Sequence, residues 1–250
     1  MTTSVEYPSG APAWLDLAVP DVGRAAGFYG ELLGWEFDTG PYTTALLDGR
    51  RVAGLSSAAD PAGPACWTAH LATPDLDGSL ETAAGLGGRV LSGPEDVAGL
   101  GTRAVVREPA GTEFALWSRG SLGGAEAFGV PGAPIWAEAT SADVPATADF
   151  LVRMFGYEAE RIADAEYVTL YSGGSPVCGV YAGAGERIAA GRGAWLCYLV
   201  VQDADRAAAR AVELGGALLR PPGASGYGRW ALIADPFDAR FAAMEVPHGS

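Results

Sequence analysis

The chain offers few residues able to do chemistry. Among 250 residues there are two histidines, His70 and His248, three cysteines, Cys66, Cys178 and Cys197, and one glutamine, Gln202. All 16 basic residues are arginine, so Schiff-base chemistry and the lysine of a phosphate loop are excluded. The best-equipped segments are short apolar stretches that each open on tryptophan: W-L-D-L-A-V from Trp14, W-T-A-H-L-A from Trp67, W-A-E-A-T from Trp136 and W-L-C-Y-L-V from Trp195. Read as strands, their side chains alternate between two faces. Trp14 then shares a face with Asp16, Thr68 with His70, Trp136 with Glu138, and Leu196 with Tyr198. Asp16 and His70 are the acid–base candidates, because a carboxylate orients an imidazole and raises its pKa toward neutrality. The alternative is a hydrogen-bonded structural histidine with Asp16 as its partner. Glu138 with Tyr198 would hold a ligand hydroxyl or amine, or else form a pair in a cleft wall. The tryptophans, with Trp117 further on, are either platforms for an aromatic ligand or core plugs beneath helices.

These segments recur. At an offset of 122, Trp14, Asp21, Val22, Ala26, Phe28, Gly34 and Glu36 meet Trp136, Asp143, Val144, Ala148, Phe150, Gly156 and Glu158, and Trp35 meets Tyr157. At an offset of 128, Trp67, Asp75, Asp77, Leu86, Gly87, Gly88 and Pro94 meet Trp195, Asp203, Asp205, Leu214, Gly215, Gly216 and Pro222. One residue of slip later, Gly101, Glu108, Pro109 and Phe114 match Gly228, Asp235, Pro236 and Phe241. Each unit has a strand, then an aspartate that caps a helix (Asp21, Asp75 or Asp77, Asp143, Asp203 or Asp205), then a glycine that ends it (Gly34, Gly87, Gly156, Gly215), then further strands. The expected late strands are Thr43–Leu47, Val52–Ser56, Thr102–Arg107 and Glu113–Ser118, with Tyr167–Tyr171, Ser175–Ala182, Trp230–Ala234 and Phe241–Val246 in the second half. The pattern predicts four βαβββ units and an α+β fold. Two units side by side make a curved sheet with helices outside and a concave ligand face inside. The expected modules are residues 1–118 and 135–250, joined by a Gly/Ala/Pro-rich linker at 119–134; whether units close within a half or exchange between halves stays open.

The strand–Asp–helix starts W-L-D-L-A-V-P-D and W-A-E-A-T-S-A-D, the helix ends F-Y-G-E-L-L-G-W and F-L-V-R-M-F-G-Y, and the tails E-P-A-G-T-E-F-A-L and D-P-F-D-A-R-F-A-A resemble the vicinal oxygen chelate superfamily of glyoxalases, extradiol dioxygenases and fosfomycin- and bleomycin-resistance proteins. The resemblance covers roughly residues 14–118 and 136–247, most closely the two-module members. It implies a divalent metal held by His, Gln or Glu at the first residue of an opening strand and by an acid in a closing strand. The corresponding residues here are Trp14, Thr68, Trp136, Leu196, Ala115 and Ala242. None is a metal ligand, so the expectation is no cofactor, with a divalent metal in an irregular site as the alternative.

The formal net charge of -14 and pI near 4.4, with no basic stripe, argue against nucleic-acid and anionic-membrane partners. No apolar run reaches the roughly 20 residues of a membrane span. The start lacks a signal-peptide pattern, and unpaired cysteines fit a reducing compartment, so a cytoplasmic protein is expected. The cysteines read as small buried residues. The segments 93–101 and 223–228 read as Gly-rich loops that lack the helix start a phosphate loop needs, and as flaps over a cleft. Arg192 and Arg229 read as surface residues or contacts for an anion. A four-unit chain supplies its own pseudo-dimer, so a monomer or weak homodimer is expected. Two functions follow. One is a metal-independent small-molecule binding protein whose clefts hold Trp14, Asp16, His70 and Trp117, and Trp136, Glu138, Tyr198 and Met244, and whose negative charge draws a cationic or aromatic natural product. The other is a lyase, isomerase or oxygenase acting on a secondary-metabolism intermediate with Asp16 and His70 as acid–base pair.

Overall fold

The structure is a computed structural model that describes residues 6–58, 65–162, 165–183 and 194–247; Arg192 and His248 lie outside them. The first half runs β1 (Pro12–Val19), α1 (Val22–Leu33), β2 (Glu36–Thr39), β3 (Thr43–Leu47), β4 (Arg50–Ser57), β5 (Cys66–Ala72), α2 (Leu76–Gly85), β6 (Arg89–Asp96), β7 (Gly101–Arg107) and β8 (Glu113–Arg119). The second repeats it: β9 (Pro134–Ser141), α3 (Val144–Phe155), β10 (Glu158–Arg161), β11 (Tyr167–Ser172), β12 (Ser175–Ala182), β13 (Trp195–Val200), α4 (Ala204–Glu213), β14 (Ala217–Ser225), β15 (Gly228–Ala234) and β16 (Arg240–Glu245). The four βαβββ units are present.

The helix punctuation follows from local chemistry. Asp21, Asp75, Asp143 and Asp203 each accept the backbone N–H three residues on, satisfying a first-turn donor that would otherwise lack a partner; each such cap contributes about 0.5–2 kcal/mol. Between the alternatives at the second and fourth helices, Asp75 and Asp203 cap, while Asp77 and Asp205 sit in the first turn. Gly34 and Gly156 close their helices with φ of 75° and 72°. At the other two, Leu86 and Leu214 are the caps, and Gly87 and Gly215 follow at φ of 86° and 88°.

Each half forms an eight-stranded mixed sheet, in the orders β2-β3-β4-β1-β5-β8-β7-β6 and β10-β11-β12-β9-β13-β16-β15-β14. In each βαβββ unit the opening strand pairs parallel with the last: β1 with β4, β5 with β8, β9 with β12, β13 with β16. Backbone pairing thus stays within a half. Tertiary contacts gather differently, into two compact units that each draw on both halves: Met1–Trp14, Thr68–Gly124 and Ala137–Trp195 form one, and Leu15–Trp67, Ala125–Trp136 and Leu196–Ser250 the other.

In the unit carrying α1 and α4, the Tyr29 ring stacks on Trp35 at 5.5 Å and meets the edges of Phe28 and Trp67. Its hydroxyl donates to Asp235 (3.1 Å) and accepts from Trp67 Nε1 (3.2 Å). In the unit carrying α2 and α3, Phe114 meets Phe150 and Phe155, and Trp195 Nε1 donates to the Glu113 carbonyl (2.9 Å). Each such aromatic side chain, fully buried, contributes about 1.5–3 kcal/mol.

One sequence expectation changes. The Gly-rich segments at 93–101 and 223–228 are not loops throughout: β6 runs to Asp96 and β14 to Ser225. Both strands lie at sheet edges, where Pro94, Pro221 and Pro222 need supply no ladder N–H and register shifts absorb them. The linker span 119–134 is hydrogen-bonded to the strands and turns it passes. Leu122 N donates to the Leu100 carbonyl, Glu126 accepts from Arg51 N (2.8 Å), and the Gly132 carbonyl accepts from Trp35 Nε1 (2.6 Å). Among the described residues no helix is long and apolar enough to cross a membrane.

Candidate functional site

The opening strands of the two halves carry the same constellation. Asp16 on β1 lies opposite Gly54 on β4, and Glu138 on β9 opposite Gly179 on β12. A tyrosine hydroxyl reaches over each glycine to the acid: Tyr42 donates to Asp16 Oδ2, and Tyr167 donates to Glu138 Oε1 at 2.7 Å. The glycines leave the space that the hydroxyls fill: a Cβ at Gly54 or Gly179 would fall on the tyrosine hydroxyl. The acids are 4% and 7% exposed, and a carboxylate buried to that degree must be hydrogen-bonded. Asp16 takes a further bond from the Ser56 hydroxyl, at 2.6 Å. The residue in Ser56's register is Tyr181, which lies opposite Tyr167.

His70, on β5, is 2% exposed, and its ring centroid lies 5.6 Å from that of Trp117 on β8. Asp16 and His70 fall in different compact units. The counterpart of His70, Tyr198 on β13, is half-buried and lies 5.7 Å from Trp230 on β15. The Arg220 guanidinium sits over the Trp230 ring at 4.4 Å, a cation–π contact, and Met244 pairs in register with Trp230.

Of the residues singled out from sequence, Trp14 and Trp117 are each 1% exposed, and Trp67 and Trp195 are buried as well. Trp136 and Tyr198 are half-buried. Arg229 is engaged by Asp205 through two bonds of 2.6 and 2.9 Å. Sequence reading missed Tyr42, Gly54, Tyr167, Gly179, Arg220 and the partnership of Trp230 with Tyr198. Tyr42 precedes Gly54 by the same interval as Tyr167 precedes Gly179, at an offset of 125, so the duplication itself carries their signal. Cys178 and Cys197 are buried. Burial, and then the Glu138 charge, push the Cys178 thiol up to about 12; burial pushes Cys197 up as well. Neither forms a thiolate near neutrality.

The superfamily's metal does not fit these residues. Its ligand positions hold Trp14, Thr68, Trp136, Leu196, Ala115 and Ala242, and Ala115 lies directly beside His70 in the β5–β8 register with no donor to add. Among the described residues no three His, Cys, Asp or Glu are grouped to hold a metal ion.

Residues 14–117 match the family described as glyoxalase-like domain, and residues 135–242 match the glyoxalase/bleomycin resistance protein/dioxygenase superfamily. The chain is 36% identical to the anthracycline biosynthesis protein DnrV of Streptomyces peucetius, over 97% of this chain and 96% of that protein. It is 29% identical to the putative glyoxylase CFP32 of Mycobacterium bovis, over 96% of each. Its fold matches the crystal structure of the Mn(II)-bound glyoxalase from Novosphingobium aromaticivorans with a TM-score of 0.67 at 16% identity, covering 94% of this chain and 83% of that one. Four βαβββ units, the tandem sheets and these matches agree: the chain is a two-module member of the vicinal oxygen chelate superfamily, the group of glyoxalases, bleomycin resistance proteins and dioxygenases, whose ligands are small molecules.

Proposed function

We propose that the protein binds a polycyclic aromatic intermediate of secondary metabolism, of the anthracycline type, without a divalent metal. The observation that carries this reading is the set of side chains at the superfamily's ligand positions: two indoles, three aliphatic groups and one threonine hydroxyl. An indole N–H only donates, and aliphatic groups coordinate nothing. The same chain presents stacking surfaces. Tyr198 and Trp230 are half-exposed on one surface, with Arg220 above the indole, and Trp136 is half-exposed on its own strand. Flat fused rings gain about 0.5–1.5 kcal/mol per aromatic pair beyond the area they bury. The charge of -14 favours a cationic ligand. The kinship to an anthracycline biosynthesis protein supports the ligand class.

The test is a fluorescence titration with daunorubicin and with its aglycone, which lacks the amino sugar, on protein before and after exhaustive chelation, with elemental analysis of the purified chain. The expected result is unchanged affinity after chelation and weaker binding of the aglycone. Near-stoichiometric metal that survives dialysis, with binding lost on its removal, overturns the proposal. Turnover abolished by both His70→Ala and Asp16→Asn would replace it with the acid–base enzyme reading.

A further inference from the structure

The unit carrying α1 and α4 holds a cleft of about 570 Å3 that involves none of the residues discussed above as ligand contacts. It opens between the C-terminal end of α1 and the first turn of α4. Its size falls within the roughly 300–1,000 Å3 of small-molecule pockets. Leu33, Leu47, Val200 and Ala207, all buried, supply an apolar floor.

The polar groups around that floor are unequal. Three acids line it, and each is engaged. Glu31 pairs with Arg210 at 2.8 Å, Asp203 accepts the Arg206 backbone N–H at 2.9 Å, and Asp48 lies 3.8 Å from the Arg50 guanidinium. Arg210 is further held by Glu213 at 3.0 Å. The remaining two polar side chains, Gln202 and Arg206, are exposed and make no side-chain hydrogen bond or ion pair among the described residues. The end of α4 itself adds nothing free at these points, because Asp203 and Glu245 already take the N–H groups of Arg206 and Ala204. What the cleft offers a ligand is therefore an apolar bed, one guanidinium without a carboxylate partner and one carboxamide, beside three carboxylates whose bonds are made within the chain.

We infer that this cleft is a second small-molecule site, for an amphiphilic anion whose apolar body lies on Leu33, Leu47 and Val200 and whose carboxylate, sulfonate or phosphate meets Arg206, with Gln202 as supporting donor. A guanidinium is the side chain suited to that role, since its paired N–H groups match two oxygens of such a group. The site stands independently of the anthracycline proposal, whose contacts are Trp136, Tyr198 and Trp230.

The test uses the full chain and two fluorescent probes of the same ring system, 8-anilinonaphthalene-1-sulfonate and the uncharged N-phenyl-1-naphthylamine. The expected result is one sulfonate probe bound per chain, weaker binding of the neutral probe, and a loss of about tenfold or more in sulfonate affinity with Arg206→Glu, in line with a charge-assisted hydrogen bond. Gln202→Ala weakens it by a smaller factor. Trp230→Ala leaves the sulfonate probe unaffected, which separates this site from the proposed aromatic one. The Arg206 side chain is exposed, so the melting temperature of Arg206→Glu is expected to equal that of the parent. Absence of stoichiometric sulfonate binding, equal affinity for both probes, or insensitivity to Arg206→Glu overturns the inference. Loss of binding in Trp230→Ala overturns it too, by placing the probe on the other surface.

Discussion

Gly179→Ala is a sharp probe of the acid–tyrosine pair in the second half. An added Cβ would lie 2.7 Å from Tyr167 Cζ and 3.1 Å from Glu138 Cγ. Carbon atoms in contact sit about 3.5–4.0 Å apart, so the tyrosine ring must retreat by roughly 1 Å. Its bond to Glu138, 2.7 Å long, then exceeds hydrogen-bond length. Loss of a hydrogen bond to a charged group costs about 1.5–3 kcal/mol, and crowding adds about 1–3 kcal/mol. Against this, alanine stiffens the unfolded chain by about 0.4–1 kcal/mol. The net expectation is a destabilisation of about 2–5 kcal/mol, read as a shift in guanidinium midpoint and a fall in Tm of roughly 5–15 °C for a chain of this size. The decisive measurement is the double-mutant cycle with Tyr167→Phe. The phenylalanine ring has already given up the hydrogen bond and the closest atom, so the two substitutions should couple by about 1.5–3 kcal/mol. If Gly179→Ala stabilises the protein, or if the two effects simply add, the hydroxyl does not sit over the glycine as described and the reasoning fails.

Tyr29→Phe removes the hydroxyl between Trp67 Nε1 and Asp235, leaving a buried donor and a buried acceptor each short of a partner. A cost of about 2–4 kcal/mol is expected in chemical denaturation, and a neutral result would place water in that part of the core. Asp235 carries a carboxyl whose pKa burial raises above the usual value, against the lowering effect of the Phe237 and Ala239 N–H bonds. Its stabilising contribution is therefore complete below the ordinary carboxylate pKa of about 3.9 and is lost as pH rises through the raised folded value. Asp235→Asn should flatten that part of the stability–pH curve, and an unchanged slope would refute the assignment. Cys178, with its thiol pushed up to about 12, should resist maleimide at pH 8 in the folded chain and react only on unfolding.

The parts of this fold readable from sequence are those fixed by local chemistry. An aspartate before a helix and a glycine after it do their work within one turn, so Asp21, Gly34 and their counterparts were legible wherever the repeat placed them. Alternation also put Asp16 on the face of Trp14 and Glu138 on the face of Trp136. It did not say what meets them, because the Tyr42 hydroxyl arrives from the bend before β3 and that of Tyr167 from β11, 26 and 29 residues away, and a distance of that kind is set by sheet register rather than by spacing. The edge strands β6 and β14 were hidden for another reason: Gly93, Pro94, Pro221 and Pro222 are turn-like residues by propensity, and only position at a sheet edge makes them tolerable in a strand. Burial of Trp14 and Trp117 likewise depends on neighbours that no period reveals.

Duplication supplies a last argument about where a ligand would make contact. The acid, the tyrosine above it and the glycine beneath it are kept in both halves, as expected of a framework that satisfies a buried carboxylate. Other positions on the sheets have diverged. His70 is replaced by Tyr198, Trp117 by Met244, and Arg103 by Trp230, so that the indole beside the ring at position 70 or 198 comes from β8 in one half and from β15 in the other. Both halves retain a guanidinium near the indole's strand. Arg103 lies opposite Trp117 in register and pairs with Glu95, while Arg220 lies over Trp230. The difference that matters for binding is exposure. His70 and Trp117 are 2% and 1% exposed, whereas Tyr198 and Trp230 are half-exposed. A flat ligand gains stacking energy only from faces it can reach. Tyr198→Ala and Trp230→Ala should therefore each weaken daunorubicin binding by about 0.5–1.5 kcal/mol or more, and His70→Phe should leave affinity nearly unchanged. The reverse ranking in the same titration would move the binding surface to the first half and to the buried histidine.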